Sequence, residues 1–421
     1  MPALAMTVAV RPPLKSLDEA QAELLGFAHT LEEVDSVSTF DADGRVLAQD
    51  LVSALQVPPH DSSAMDGYAV RCADLVVDVA LPVSQRIPAG SSPQPLAPQT
   101  LARIFTGAPV PPGADAVVMQ EDCALQDDGR VRVTAPVSVG QWVRRSGEDV
   151  ARGATVLSKG ERLTPASLGL AASIGMNQLQ VVRRPKVALL STGDELVMPG
   201  EVAPQDMRPG AIYNSNRFFL RALLTRLGCE VTDLGIVPDQ RQATIDALVS
   251  AALTHDLILS SGGVSVGEED HVKPAVQALG QLNLWQVNIK PGKPFAYGQV
   301  GRAGVAGQGA HFIGLPGNPV SSWVTFLMLV RPFVLRLQGV MQAAPLSIAA
   351  SAGFTWAKAD KRREFLRVRF NAAGTLDLFA NQSSAVLTSA VWAEGLVDNP
   401  PGQTIAPGDT VRFIPLAGLL S

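Results

Sequence analysis

The chain has 421 residues, too many for one ordinary core, so two to four domains are expected. Hydrophobic content of 47% with 17% charged residues excludes a disordered polymer, and a net charge of −5 excludes a broad basic nucleic-acid footprint. Cys72, Cys123 and Cys229 are too dispersed for a disulfide framework or zinc knuckle, and point to a reducing compartment, the cytoplasm.

Arg11-Pro12-Pro13 interrupts any apolar leader, and no run is expected to reach membrane-spanning length. Residues 16–34 show helical spacing of Leu17, Ala20, Leu24, Phe27 and Leu31 behind Ser16 as N-cap. From 54 to 145, short β-rich runs alternate with Pro/Gly turns, which predicts a mostly-β insertion. Residues 14–53 and 146–184 then form one mixed, discontinuous linking domain, with a helix expected over 164–174. Over 185–338, strands at 187–190, 231–237, 257–259, 285–289 and 312–315 alternate with helices at 216–227, 241–253, 271–279 and 319–337. That alternation predicts a parallel α/β sheet, whose ligands sit at the carboxyl ends of its strands. Residues 339–421 predict a small C-terminal β-barrel.

The richest stretch is 256–270. Leu257, Ile258 and Leu259 end in Ser260-Ser261-Gly262-Gly263, with Ser265 and the acids Glu268, Glu269 and Asp270 close behind. Glycines at a strand end let backbone N–H groups approach an anion, and carboxylates beside a phosphate call for a divalent cation. Ser191-Thr192-Gly193-Asp194-Glu195 follows another strand of the same sheet, either as a helix cap or as part of a site. Lys290-Pro291-Gly292-Lys293-Pro294 holds two lysines in a proline frame suited to an oxyanion. Leu315-Pro316-Gly317-Asn318-Pro319 opens the last helix, with Asn318 as N-cap or anion-binding turn. By physics alone Asp66 in Ser63-Ala64-Met65-Asp66-Gly67 is a turn residue, Thr106-Gly107-Ala108-Pro109 a rigid turn and residues 144–149 a charged hinge. No pair of histidines has metal-ligand spacing.

In this order, S-A-M-D-G-Y-A (63–69), T-G-A-P-V-P-P-G-A-D-A-V (106–117), S-T-G-D-E-L (191–196), S-S-G-G-V-S-V-G (260–267), K-P-G-K-P (290–294) and L-P-G-N-P-V-S (315–321) resemble the molybdopterin molybdenumtransferase family of MoeA and the gephyrin E domain. The resemblance spans nearly the whole chain and is weakest over the last 80 or so residues. It implies a four-domain homodimer whose central domain is like molybdopterin adenylyltransferase. It also implies an active site between that domain and the β-rich domain of the partner subunit. The implied reaction takes molybdate and adenylylated molybdopterin to molybdenum cofactor and AMP, with Mg²⁺. On the resemblance, Asp66, Thr106, Asp149, Glu195, Asp239, Asp270, Lys290 and Lys293 are catalytic, with Glu195 and Asp270 as metal ligands. Ser260, Ser261, Gly262, Gly263, Ser265, Pro316, Gly317, Asn318, Pro319, Arg363 and Ser384 are substrate-binding.

Three rivals stay open at this stage: the upstream adenylyltransferase, a non-catalytic peptide-binding scaffold, and a tungsten-inserting paralogue. The β-rich insertion argues against the first, and intact acidic and basic site positions against the second. Nothing in the sequence separates molybdate from tungstate. A separate adenylyltransferase is the candidate partner, and neither nucleic acid nor membrane is expected.

Overall fold

The computed structural model describes residues 14–264, 271–301 and 309–420. The α/β unit is built on a six-stranded sheet ordered Glu230–Val237, Lys186–Thr192, Leu257–Ser261, Gly309–Leu315, Pro294–Gly301, Gly280–Gln286. Along each central strand, alternate residues face opposite layers. Val187, Leu189, Leu257 and Leu259 pack against helices Asn216–Arg226 and Pro319–Thr325, whereas Ala188, Leu190 and Ile258 pack against Arg241–Thr254 and Val272–Leu279. Each fully buried Leu or Ile contributes about 1.5–3 kcal/mol, so burial on both faces fixes the register firmly.

The sheet corrects the all-parallel expectation. Four adjacent strands are parallel, but Pro294–Gly301 runs antiparallel to both its neighbours, Gly309–Leu315 and Gly280–Gln286. The connection from Gly301 to Gly309 is too short for a parallel crossover, which needs a dozen or more residues. The run expected at 285–289 is two elements, Gly280–Gln286 and Ile289–Lys290, and the second pairs with Arg363–Phe370 of the C-terminal unit.

The first helix spans Leu17–Phe27, closed at its start by a Ser16–Glu19 capping box, and does not continue to 34. Instead Val34–Ser38 is drawn into an antiparallel pair with Gln178–Val182, an example of tertiary pairing overriding helical spacing. Ala42, Leu47 and Leu51 share one core with Leu157, Ala171 and Val181, so the two segments flanking the insertion form a single unit.

The helical run Pro319–Leu337 is long and apolar enough to cross a membrane, contrary to the expectation that no run would be, yet 94% of it is buried in the fold. Its middle, Phe326–Val330, is a π-turn. Pro332 has no N–H for the Met328 carbonyl, and the Gln21 side chain donates to that oxygen instead at 2.6 Å.

The insertion carries a four-stranded sheet ordered Val83–Ile87, Leu101–Ile104, Gly67–Val70, Ala116–Met119. In the C-terminal unit, Leu376–Leu378, Arg363–Phe370, Gly395–Asn399, Thr410–Pro415 and Ile348–Ser351 pair in succession, and an Ala352–Leu376 bridge returns the last to the first.

Candidate functional site

The parallel strands deliver their carboxyl ends to one edge, and the loops there are tied together. Asn216, buried at its helix start, donates from Nδ2 to Ser261 Oγ (3.0 Å) and to the Gly317 carbonyl (2.8 Å). The Gly262 N–H donates to the Leu315 carbonyl at 3.1 Å, and Ser260 Oγ to the Gly262 carbonyl at 3.1 Å. Gly262 and Gly263 have φ of +93° and +71°, where an L side chain is strained. A Cβ on Gly263 would also lie 2.4 Å from Val272 Cγ2. The Ser191 hydroxyl, at the end of the neighbouring strand, is buried and makes no hydrogen bond among the described residues.

On that strand's outgoing loop, the Glu195 carboxylate folds back over Gly193. A Cβ at Gly193 would sit 2.6 Å from its Oε2. Asp194 and Glu195 are exposed, and the Asp239 N–H donates to Asp194 Oδ1 at 3.4 Å, which brings the loops carrying Glu195 and Asp239 together at this edge. Asp270 and Ser265, with Glu268 and Glu269, lie outside the described residues. Among the described residues no group of three His, Cys, Asp or Glu could hold a metal by itself. The carboxylate oxygens present are the hard donors that Mg²⁺ prefers.

The two lysines differ. Lys290 Nζ lies 3.0 Å from Glu364 Oε1 and 3.1 Å from Asp360 Oδ2. Partial burial opposes its charge, but hydrogen bonds to Glu364 and Asp360 outweigh this and raise its pKa. Lys293 forms no ion pair among the described residues, and the residue is partly exposed. The loop between them packs on the buried helix through Gly292, whose carbonyl accepts from Thr325 Oγ1 at 3.4 Å.

Arg363 turns away from this loop. It clamps Asp398 with Nε and Nη2 (2.6 and 2.7 Å) and reaches Asp18 at 2.9 Å, and the Asp398 pair holds its pKa well above the usual value. Arg367, which sequence reasoning missed, lies with Lys290, Trp356, Glu364, Gln382 and Ser383 around a cavity of about 260 Å³. It is 1% exposed, and its guanidinium donates only to neutral oxygens: Ser389 Oγ, the Phe365 carbonyl and the Ser383 carbonyl. Burial lowers its pKa to about 10. Among the described residues no carboxylate pairs with Arg367, whereas Glu364, which lines the same cavity, pairs with Lys290. Ser384 comes to the same region, since its carbonyl accepts the Val320 N–H at 2.9 Å at the start of the helix opened by Asn318 and Pro319. Pro316 is buried, whereas Gly317 and Asn318 are exposed.

In the insertion, Thr106 grips Asp66, its N–H and Oγ1 both donating to Oδ1 (2.7 and 2.8 Å). Those bonds, the backbone one first, keep the exposed carboxyl below the usual carboxylate range. Asp149 is exposed, its N–H held by the Val57 carbonyl at 3.1 Å. Among the described residues, no hydrogen bond or ion pair joins Asp66, Thr106 or Asp149 to the strand-end loops.

Family profiles described as "MoeA N-terminal region (domain I and II)", "Probable molybdopterin binding domain" and "MoeA C-terminal region (domain IV)" match residues 15–175, 188–336 and 349–416. A molybdopterin molybdenumtransferase of Haemophilus influenzae is 42% identical over 412 residues, covering 96% of this chain and 99% of that one. One of Synechococcus elongatus is 35% identical, with 92% and 95% covered. The solved MoeA protein of Pyrococcus horikoshii OT3 superposes with a TM-score of 0.82 at 26% identity, covering 96% of this chain and 100% of the other.

Proposed function

Since the chain belongs to the molybdopterin molybdenumtransferase family, we infer that it inserts molybdate into adenylylated molybdopterin and releases AMP, completing the molybdenum cofactor. The observation that carries this reading to residues is the tied sheet edge. Asn216 joins the Ser261 and Gly317 loops, and Thr192, which leads into the loop of Asp194 and Glu195, lies against Gly262 and Gly263.

Cleaving the phosphoanhydride requires positioning and charge neutralisation more than a protein nucleophile. The glycine pair lets the substrate's phosphate approach the backbone, with no Cβ in the way. Lys293, with no ion-pair partner among the described residues, brings a cation to the oxyanion. Arg367, which pairs with no carboxylate among the described residues, brings the cavity beside Lys290 a cation for molybdate. Glu195, with Asp270, would ligate Mg²⁺, which when bound neutralises charge on the pyrophosphate.

The protein acts as a homodimer in this reading, with Asp66, Thr106 and Asp149 completing the partner's sheet edge. That arrangement accounts for the lack of a hydrogen bond or ion pair between them and the edge among the described residues of one chain. Mixing an Asp66→Asn protein with a Lys293→Ala protein tests it. Each alone is expected to be nearly inactive, while mixed dimers regain activity through one intact site. Absence of recovery in verified heterodimers would place both residues in one subunit's site.

The reaction itself is tested by its product. Incubation with adenylylated molybdopterin and molybdate should yield cofactor that activates an apo-molybdoenzyme. No activation, with substrate consumed, would count against molybdenum insertion.

A further inference from the structure

On the insertion's four-stranded sheet, Arg86, Arg103 and Tyr68 stand in register on three neighbouring strands. Paired positions present side chains on one face, so two guanidiniums lie side by side, an arrangement that costs stability unless something compensates. Phe105 supplies part of that compensation. The Arg86 and Arg103 guanidinium carbons lie 4.6 and 4.7 Å from its ring centroid, and Arg103 also lies 5.2 Å from the Tyr68 ring.

The two arginines are not equivalent. Arg103 is anchored, donating to the Gly67 carbonyl (2.9 Å) and to Gln120 Oε1 (2.7 Å), whose amide in turn donates to Glu121. Its charge also faces Asp66 closely enough to help keep that carboxyl ionised. Arg86 is exposed and, among the described residues, forms neither an ion pair nor a hydrogen bond. Its planar fork is held flat on an aromatic ring with its donors unspent. Aromatic stacking removes conformational freedom beforehand, which is what a bidentate oxyanion site requires.

We propose that Arg86, supported by Phe105 and Arg103, is a phosphate-binding residue that receives the phosphate of the adenylyl half of the substrate and of the AMP product. The placement follows from Thr106, which directly succeeds Phe105 and holds Asp66, so the shelf borders the acid that the insertion contributes. The assignment rests on the proposed function for the identity of the ligand. It makes Arg86 a residue of substrate affinity and product release, distinct from the groups acting on molybdate.

Calorimetric titration of the full-length protein with AMP, adenosine, inorganic phosphate and molybdate separates the possibilities without requiring turnover. Arg86→Ala and the charge-removing Arg86→Gln should weaken AMP roughly tenfold or more, as loss of a charge-assisted bond does, and leave adenosine unchanged. Arg86→Lys should fall between, and Arg130→Ala, on an exposed pair with Asp128, should bind AMP as wild type does. In turnover, Arg86→Ala should raise KM more than it lowers kcat. Unchanged AMP affinity in both Arg86 variants, no AMP binding by the wild type, or a loss confined to molybdate would overturn the assignment. Failure of molybdate-dependent AMP release by the wild type would instead sink the proposed function, and the titrations read independently of it.

Discussion

Thr106 and Asp66, forty positions apart, are joined by two hydrogen bonds to one carboxylate oxygen, from the Thr106 N–H at 2.7 Å and its Oγ1 at 2.8 Å. The antiparallel pairing of Gly67 with Ile104 brings them together. The second carboxylate oxygen accepts no hydrogen bond among the described residues.

Thr106→Ala removes the hydroxyl bond and keeps the N–H bond. Asp66 should then titrate closer to an ordinary aspartate, and activity should fall roughly tenfold, since one restraint on the carboxylate is lost. The folded pKa is depressed, so Asp66's contribution is present above the unfolded value and lost as pH falls through the folded one, below about pH 4. Carbon NMR titration of the Asp66 carboxyl in both proteins checks this. An unmoved midpoint would mean the hydroxyl bond does little.

Lys290 and Lys293 should separate by stability. Lys293→Ala should retain the wild-type melting temperature while losing a factor of about 10²–10³ in rate, as for loss of a charged oxyanion donor. Lys290→Ala leaves Glu364, 1% exposed, with Trp356 Nε1 as a neutral partner only. It should therefore cost stability as well, about 1–3 kcal/mol, below a fully buried pair because Lys290 is partly solvated. Denaturant unfolding beside turnover distinguishes the two variants.

Asn216→Ala unties two loops at once. It leaves Ser261 Oγ and the Gly317 carbonyl without this donor, at a cost of about 1–3 kcal/mol, and should raise KM for the pterin substrate. Wild-type KM in the folded variant would show that the loops hold their places without it.

His311 gives a pH dependence. Burial against Tyr297 and Phe333, with Tyr297 Oη 2.9 Å from Nδ1, pushes its pKa down to about 4. The unfolded chain binds the proton near pH 6.5, so this contribution to stability is full above that pH and lost as pH falls toward 4, by up to about 3 kcal/mol. His311→Gln should flatten the melting temperature between pH 6.5 and 4 relative to wild type.

The strand ends were readable because a strand buried on both faces needs an apolar run, and a glycine turn after it stands out, as at Leu257–Ser261 before Gly262. The Thr106–Asp66 bond was not readable from spacing, since it depends on which strands pair. Pro294–Gly301 escaped notice because its leading proline and internal Gly298 argue against a strand, although the alternating neighbours bury Phe295 and Tyr297. Arg367 was one of several arginines between 362 and 369, and only packing shows that it is buried while Arg369 is exposed. Arg363 drew attention through its resemblance to a family position, whereas its side chain joins the first helix to the C-terminal unit through Asp18 and Asp398.

AMP release from adenylylated molybdopterin, measured with and without molybdate in the presence of Mg²⁺, tests the central claim most directly. Release that requires molybdate, and that Lys293→Ala abolishes in a folded protein, is the predicted result. Tight substrate binding with no molybdate-dependent release would contradict it.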